Sequence, residues 1–478
     1  MANGQFGMIG LGTMGRNFLL NVAEHGFSCV GYDLDDSKRQ LLMKDGAGMP
    51  MDVGASVSEF LDKLASPKNV MMLVPAGPIV DSVINDLLPH LKEGDLIIDG
   101  GNSHFTDTER RQEMLAAKGI AFLGVGVSGG EEGARHGASI MVGGDPVVWE
   151  RVRPVLEAAS AKVDGEPCAA HVGRGSAGHF VKMVHNGIEY AMMQLIAETF
   201  DLLQKGFQIS DDKAAEMFEK WNHGDLNSFL IEITAIVLKK KDEDGKPLVD
   251  KILDTAQQKG TGKWTSEIAL EFGVPIPTID SAVSMRQISA LKQERVAAAE
   301  KLGIAQNVQV DETLGPDVVH FVETGLHLAF IAAYAQGFSL LRVASVEKSY
   351  ELHLAEIVKI WRGGCIIRSK LLDTIRAAFV ADPDLPNLLV ADNLRDTIRK
   401  EQNLLKATVK FALAADVPCM SFGSVLNYIK AYASDHLPAN LIQAQRDLFG
   451  AHTYQRIDKD GTFHTADWET VQKTDITT

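Results

Sequence analysis

Cysteine is scarce in this chain: four in 478 residues, at positions 29, 168, 365 and 419. No two stand close enough for a CxxC metal or redox motif, and four distant thiols do not make the disulfide framework of a small secreted domain. Positive charge is also in deficit. Lys and Arg number 47 against 63 Asp and Glu, a formal net charge of −16. That balance excludes a general nucleic-acid or anionic-membrane partner, because both need a basic face. An anionic small substrate would need a local basic pocket instead. The N-terminus lacks the basic and apolar regions of a signal peptide, and no apolar run reaches about 18 residues, so neither secretion nor a membrane span is expected and a reducing cytoplasm fits best. There is no HExxH, no Cys/His cluster at zinc spacing, no GxSxG elbow and no GxxxxGK[ST] loop, which removes support for hydrolase and kinase chemistry and predicts no catalytic metal.

What is present is ordinary for a globular protein: 45% hydrophobic and 23% charged residues, at a length that predicts two or three domains. Phe6 to Ile9 reads as a buried strand, followed at once by Gly10, Gly12 and Gly15 in GLGTMG and then by a helix over Asn17 to Glu24. This is the GxGxxG turn in its required context, where glycines let a pyrophosphate approach helix N-terminal amides. A second strand, Ser28 to Tyr32, ends in Asp33. A carboxylate there accepts hydrogen bonds from a free adenosine ribose and repels a 2′-phosphate. Asp35 and Asp36 add to the repulsion, while Lys38 and Arg39 soften it, so NAD is expected over NADP. Further strands at Val70–Val74, Leu96–Asp99 and Phe122–Val127 each run into a glycine-containing loop. Those loops lie at strand C-terminal ends, the edge where open α/β sheets bind ligands.

From about Gly178 the pattern changes to long helical periodicity, through Phe180–Gln204, Asp212–Trp221, Phe229–Leu238, Val319–Ser345 and Leu352–Ile360. Phe180-Val181 and Phe321-Val322 open similar helices, a hint of internal duplication. The stretch GSAGHFVKMVHNGIEY, residues 175–190, gathers a base, an acid and two hydrogen-bonding side chains. Lys182, His185, Asn186 and Glu189 fall at i, i+3, i+4 and i+7, on one face along roughly 10 Å of axis, the length of a small sugar-like substrate. Val181, Val184, Ile188, Met192 and Leu195 form a separate apolar stripe. Ordinarily such a polar stripe is a solvated face. Farther on, Lys259, Thr261 and Lys263 in QKGTGKWT combine positive charge, glycine flexibility and a hydroxyl, a set suited to a phosphate, and Arg286 is a candidate fourth member. Arg446 and His452 lie in QRDLFGAHTY, ahead of a polar tail too poor in apolar residues to form its own core.

Together GLGTMG, IIDGGNS, GVSGGEEGARHG, GHFVKMVHNGIEY, DTAQQKGTGKWT, WRGGCIIRS and QRDLFGAHTY resemble the long-form 6-phosphogluconate dehydrogenases, in family order and across nearly the whole chain. The resemblance implies an α/β Rossmann-type N-terminal domain (residues 1–176), a large all-α substrate and dimerisation domain (177–434) and a C-terminal tail (435–478) that reaches the partner subunit of a homodimer. It implies oxidative decarboxylation of 6-phosphogluconate, with Lys182 as base and then acid and Glu189 as the acid that completes the reaction. It places cofactor contacts on Gly10, Gly12, Thr13, Met14, Gly15, Asp33, Val74 and Asn102. Substrate contacts fall on Asn102, Ser128, Gly129, Gly130, His185 and Asn186. The phosphate falls to Tyr190, Lys259, Thr261 and Arg286, joined by Arg446 and His452 from the other subunit.

The chain departs from that family in places. Relatives carry Asn-Arg-Thr where this chain has Asp33-Leu34-Asp35, so the arginine that clamps a 2′-phosphate is missing. Ala138 and Val142 replace common prolines, and Ala191 a common glycine. Two other readings are another β-hydroxyacid dehydrogenase, which resembles this chain at GLGTMG and the lysine but lacks the KGTGKW loop and the tail, and a dinucleotide-binding protein without turnover.

Overall fold

The computed structural model describes residues 4–258, 260–304 and 317–468. The chain divides into two compact units, Met1–Leu426 and Asn427–Thr478.

The first unit opens with strand β1 (Phe6–Ile9), helix α1 (Thr13–Glu24), β2 (Cys29–Tyr32), α2 (Asp36–Asp45), β3 (Met51–Val53), α3 (Val57–Asp62), β4 (Asn69–Met72), α4 (Pro78–Leu87), β5 (Leu96–Asp99), α5 (Phe105–Ala116) and β6 (Ala121–Ser128). Then come α6 (Gly130–His136), β7 (Ser139–Gly143), α7 (Pro146–Ala159), a small hairpin of β8 (Lys162–Val163) and β9 (Glu166–Pro167), and β10 (Ala169–Gly173). Eight strands form one sheet in the order β10-β7-β6-β5-β4-β1-β2-β3. The segments FGMI, CVGY and LIID are buried at every position, as expected of strands covered by helices on both faces. All neighbours from β3 to β6 pair in parallel, and β7 runs antiparallel to β6. The chain leaves β1 in one direction for β2 and in the other for β4. Their C-terminal ends therefore flank a switch point, where a dinucleotide groove forms.

Phe6–Ile9 and Leu96–Asp99 stand where the periodicity predicts them, and the other anticipated strands shift by one or two residues. Strands β3, β7 and β10 were not anticipated. The first is only three residues long, and the other two end in glycine at the β10 side of the sheet, where pairing, not local pattern, decides the conformation.

Helix α8 (Ala177–Asp201) follows the last sheet strand and is the axis of the rest of the unit. Around it come α9 (Asp211–Trp221), α10 (Phe229–Lys239), α11 (Thr261–Glu271), α12 (Pro277–Ala290), α13 (Lys292–Leu302), α14 (Asp317–Glu347), α15 (Leu354–Trp361), α16 (Leu371–Ala381) and α17 (Arg395–Ala414). Helices α8 and α14 pack directly on each other, and a Cβ at Gly337 would lie 2.4 Å from Ile188 Cδ1. Within α14, Val319–Glu347 is long and apolar enough to cross a membrane by length and composition, although polar residues interrupt it, and 72% of its most apolar 18-residue window is buried inside the fold. It is a core helix.

The second unit is entered along α18 (Met420–Tyr432) and holds α19 (Ala439–Gly450) and a two-stranded ribbon, β11 (Tyr454–Gln455) with β12 (Thr462–Phe463). It is organised by Asp447, whose fully buried carboxylate accepts hydrogen bonds from the backbone N–H groups of Thr453 and Thr465 and from Trp468 Nε1, with His464 Nδ1 at 3.0 Å.

Candidate active site

The site is built where α8 crosses the sheet, and glycines set how closely it does so. A Cβ at Gly126 of β6 would lie 2.4 Å from Lys182 Cβ, one at Gly143 would lie 2.2 Å from the backbone N of Gly178, and one at Gly178 would lie 2.2 Å from the carbonyl O of Gly124. Only glycine permits such contact. Helix therefore rests on strand without intervening side chains, and Lys182 arrives beside Ser128 at the end of β6.

The four polar residues of α8 do not form a solvated face. Lys182 is 6% exposed and His185 is fully buried. Lys182 Nζ donates to Asn186 Oδ1 at 2.6 Å and to Ser128 Oγ at 3.2 Å, and lies 3.2 Å from His185 Nδ1. Ser128 Oγ stands 3.4 Å from His185 Nε2, and Asn186 Nδ2 donates to Thr261 Oγ1 at 3.2 Å. A hydroxyl both donates and accepts, so this shell serves the lysine as ammonium or as amine. Burial pulls the Lys182 pKa below that of an ordinary lysine, against the opposing pull of Glu189. Burial holds His185 well below the usual histidine value, with the Lys182 charge acting in the same direction, so its ring is neutral. Glu189 Oε2 lies 3.8 Å from His185 Nδ1. Burial raises the Glu189 carboxyl while Lys182 and Arg286 oppose the shift.

The helix face borders a cavity of about 1120 Å³ that runs from the glycine turn to α11 and α12. Gly12, Thr13, Met14, Gly15, Val74 and Asn102 line one end, and Asn186, Glu189, Tyr190, Thr261 and Arg286 line the other. The Arg286 guanidinium carbon sits 3.4 Å from the centre of the Tyr190 ring, and Arg286 Nη1 donates to the Gln257 carbonyl at 3.1 Å. That leaves a cation at the cavity wall, half desolvated, where it suits an anion. Asn102 adopts a left-handed φ of 55°, with its Oδ1 accepting from Val127 N–H at 3.3 Å, so the loop after β5 is tied to the end of β6. Gly129 also has positive φ, and a Cβ there would meet the Gly364 carbonyl at 2.5 Å; a Cβ at Gly130 would meet nothing within 4 Å.

The glycine turn fits a dinucleotide. Gly10 and Gly15 are explained by packing, since a Cβ on either would clash with the Leu73 or Gly10 carbonyl. Gly12 is not so explained: a Cβ there would meet nothing within 4 Å, and its backbone opens α1 into the cavity. Close ligand approach accounts for a glycine at such a place. Asp33 Oδ2 accepts from Leu11 N–H at 2.8 Å and Oδ1 from Asp35 N–H at 3.0 Å, which fixes the carboxylate next to that turn. Lys38 Nζ is 3.4 Å from Asp33 Oδ2, while Arg39 turns back to the Asp33 carbonyl and to Asp36 Oδ1 at 2.8 Å. Leu34 is left 87% exposed.

Some expected residues stand elsewhere. Lys263 points to Glu267 on its own helix at 3.2 Å rather than joining a phosphate loop. Lys259 lies outside the described residues. Arg446 and His452 belong to the second unit, where Arg446 Nη1 donates to Gln443 Oε1 at 3.1 Å and His452 meets the Phe449 ring edge-on. Cavity residues that the sequence did not single out include Pro75 to Gly77, His104, Met193 and Trp264. Pro75 to Gly77 lie in the glycine-containing loop after Val74 and Trp264 in the KGTGKW loop, while His104 and Met193 stand outside both.

Residues 5–173 match the family described as the NAD binding domain of 6-phosphogluconate dehydrogenase, and residues 178–468 match its C-terminal domain. The chain is 48% identical over 466 residues to the NADP(+)-dependent, decarboxylating 6-phosphogluconate dehydrogenase of Bacillus subtilis, covering 97% of this chain and 99% of that one. It is 45% identical over 466 residues to the decarboxylating enzyme of Escherichia coli, again covering 97% and 99%. Among solved structures, the 6-phosphogluconate dehydrogenase of Plasmodium falciparum, described as apo, with its cofactor NADP+ and with its substrate 6-phosphogluconate, superposes with a TM-score of 0.94 at 40% identity, covering 97% of this chain and all of that one.

Proposed function

We infer the chemistry from one premise: this chain belongs to the 6-phosphogluconate dehydrogenase family. It oxidises and decarboxylates 6-phospho-D-gluconate to D-ribulose 5-phosphate and CO2, with reduction of a nicotinamide dinucleotide.

The roles of its residues are our proposal, and the buried Lys182 shell carries it. When bound, the nicotinamide accepts a hydride from C3 of the substrate. Lys182, whose amine form burial favours, takes the proton of the C3 hydroxyl. The 3-keto acid that results carries its carboxylate β to a carbonyl, and the new ammonium beside the C3 oxygen draws electron density as the C1–C2 bond breaks. Lys182 returns its proton to the C3 oxygen, CO2 leaves, and an enediol remains. Glu189, whose protonated form burial favours, delivers a proton to the carbon that lost CO2, while Lys182 removes the hydroxyl proton to form the ketone. Ser128, Gly129, Gly130, Asn102, His185 and Asn186 hold the carboxylate and hydroxyls. Tyr190, Lys259, Thr261 and Arg286 hold the phosphate.

We further propose that NAD is preferred over NADP. Asp33 is fixed beside the glycine turn, Arg39 is engaged with Asp36, and an exposed Leu34 stands in place of a cationic clamp. Initial rates with 6-phosphogluconate and each cofactor in turn test this. A higher specificity constant with NAD is expected, and a higher one with NADP overturns it. The proposal extends to a cytoplasmic homodimer with the three-part layout given above, in which Arg446 and His452 of one subunit complete the other's phosphate site. Helix α19 supports that reading, since it leaves Leu441, Ile442, Leu448 and Phe449 exposed, an apolar face suited to another subunit. Mixing inactive Lys182→Met and Arg446→Ala proteins should restore activity through hybrid dimers. No recovery after subunit exchange would refute the shared site.

A further inference from the structure

Arg110 and Arg111 are neighbours in the polar run DTERRQEM, yet Arg110 is 53% exposed in its side chain and Arg111 is wholly buried. A buried guanidinium needs nearly all its donors satisfied. Arg111 meets that demand by reaching two stretches of chain, the start of α4 with the loop before it and the end of β5 with the loop after it. On one side Nε donates to Asp81 Oδ1 at 2.8 Å, and Nη2 donates to the Gly77 carbonyl at 3.0 Å and to Asp81 Oδ2 at 3.2 Å. On the other side Nη1 donates to Ser103 Oγ at 3.0 Å and lies 3.4 Å from Asp99 Oδ2. Asp99 is itself fully buried; it accepts from Ser103 Oγ at 2.7 Å and from Gly101 N–H at 2.9 Å.

These two loops, 74–77 and 100–103, face the cavity from adjacent strands and touch each other. A Cβ at Gly101 would lie 2.6 Å from the Val74 carbonyl O and 3.2 Å from Asp99 Oδ1. No side chain fits between them, and Arg111 bonds to the far end of each loop, at the Gly77 carbonyl and Ser103 Oγ. Asn102 sits at the junction in the left-handed conformation, which asparagine adopts more readily than other side-chain-bearing residues.

We propose that Arg111 is a positioning residue whose fork fixes the spacing of loops 74–77 and 100–103, so that dinucleotide and substrate are held in one register by Asn102. This rests on the reaction assigned above, in which the first loop serves the cofactor and the second the substrate. The fork has separable arms: Asp81 and Gly77 on the cofactor side, Ser103 and Asp99 on the substrate side.

The test measures dissociation constants for NADH and for 6-phosphogluconate separately, by calorimetry on the full-length protein, together with thermal midpoints and kcat. Arg111→Lys keeps a charge but loses the planar fork, and both constants should rise about tenfold, with kcat falling as well, since displacement on the order of 1 Å is enough for such losses. Asp81→Asn should weaken NADH about fivefold and leave 6-phosphogluconate within about twofold; Ser103→Ala should do the reverse. If folded Arg111→Lys protein binds both ligands as wild type does and only its midpoint falls, the fork is a stability device and the proposal is overturned. If Arg111→Lys does not fold, the two single-arm variants decide: a split in their effects supports the clamp, and equal or absent effects overturn it. A wild-type protein that reduces no nicotinamide with 6-phosphogluconate would instead bring down the assigned reaction, whatever the variants bind.

Discussion

Lys182 and Glu189 stand about two turns apart on one buried helix, and burial moves their pKa values toward each other, the lysine down and the glutamate up. Each shift favours the uncharged form. A neutral base and a protonated acid are what the proposed proton transfers need, and both shifts run in that direction.

The pH profile follows from those signs. Activity should rise with pH as Lys182 loses its proton and fall again as Glu189 loses its own. Glu189→Gln removes the second ionisation. Its kcat should fall about 10²-fold or more, and the alkaline limb set by this carboxyl should vanish from a plot of log kcat against pH. An unchanged alkaline limb would assign it to another group.

Gly126 tests how the lysine is seated. Its missing Cβ leaves 2.4 Å to Lys182 Cβ, so Gly126→Ala forces the strand and helix apart. Overpacking of this kind costs about 1–3 kcal/mol, and kcat should fall by more than the loss of folded protein explains. Thermal melts and active-site titration of the same preparation separate the two effects.

The residue types of this site were legible in the sequence, but its depth was not. The spacing of Lys182, His185, Asn186 and Glu189 placed them on one helix face, and strand-then-glycine patterns placed the loops at one sheet edge. What local pattern did not carry was that Gly124, Gly126, Gly143 and Gly178 are contact points between strand and helix, because their meaning lies in partners far along the chain. Arg111 was invisible for the same reason. Nothing in DTERRQEM separates it from exposed Arg110, and only the fold decides which of the two arginines is swallowed.

Cofactor choice should move with two residues. Asp33→Asn keeps an acceptor for the Leu11 N–H and removes the charge, and Leu34→Arg supplies a cation at the exposed position beside it. The double variant should raise the specificity constant for NADP about 10-fold to 100-fold and lower that for NAD, as loss of one repulsive charge and gain of a phosphate contact imply. Rates across both cofactor concentrations report it, and an unchanged ratio would place the specificity elsewhere.

Asp447 should govern order in the C-terminal unit. The Asp447 carboxylate is held down to about 2 from an ordinary 3.8, by Thr465 and Thr453 N–H groups, His464 and Trp468, which outweigh its burial. A depressed carboxylate contributes stability in full above the unfolded value, and that contribution is lost as pH falls through the folded one. Asp447→Ala should therefore expose residues 450–468 to limited proteolysis at neutral pH and raise the KM for 6-phosphogluconate about tenfold or more, through misplacement of Arg446 and His452. A tail that stays resistant would remove Asp447 as its organiser.

The most direct measurement compares wild type with Lys182→Met for binding and turnover together. Calorimetry gives the affinities for NADH and 6-phosphogluconate, and coupled assays follow reduced nicotinamide and CO2 in one reaction. Wild type should form the two products one to one. Lys182→Met should bind both ligands within a few-fold of wild type while kcat falls about 10³-fold or more, since positioned acid–base groups contribute on the order of 10²–10⁴-fold and this lysine acts more than once. A Lys182→Met enzyme that keeps even about a tenth of the rate would contradict the account, because proton transfer would then belong to another residue.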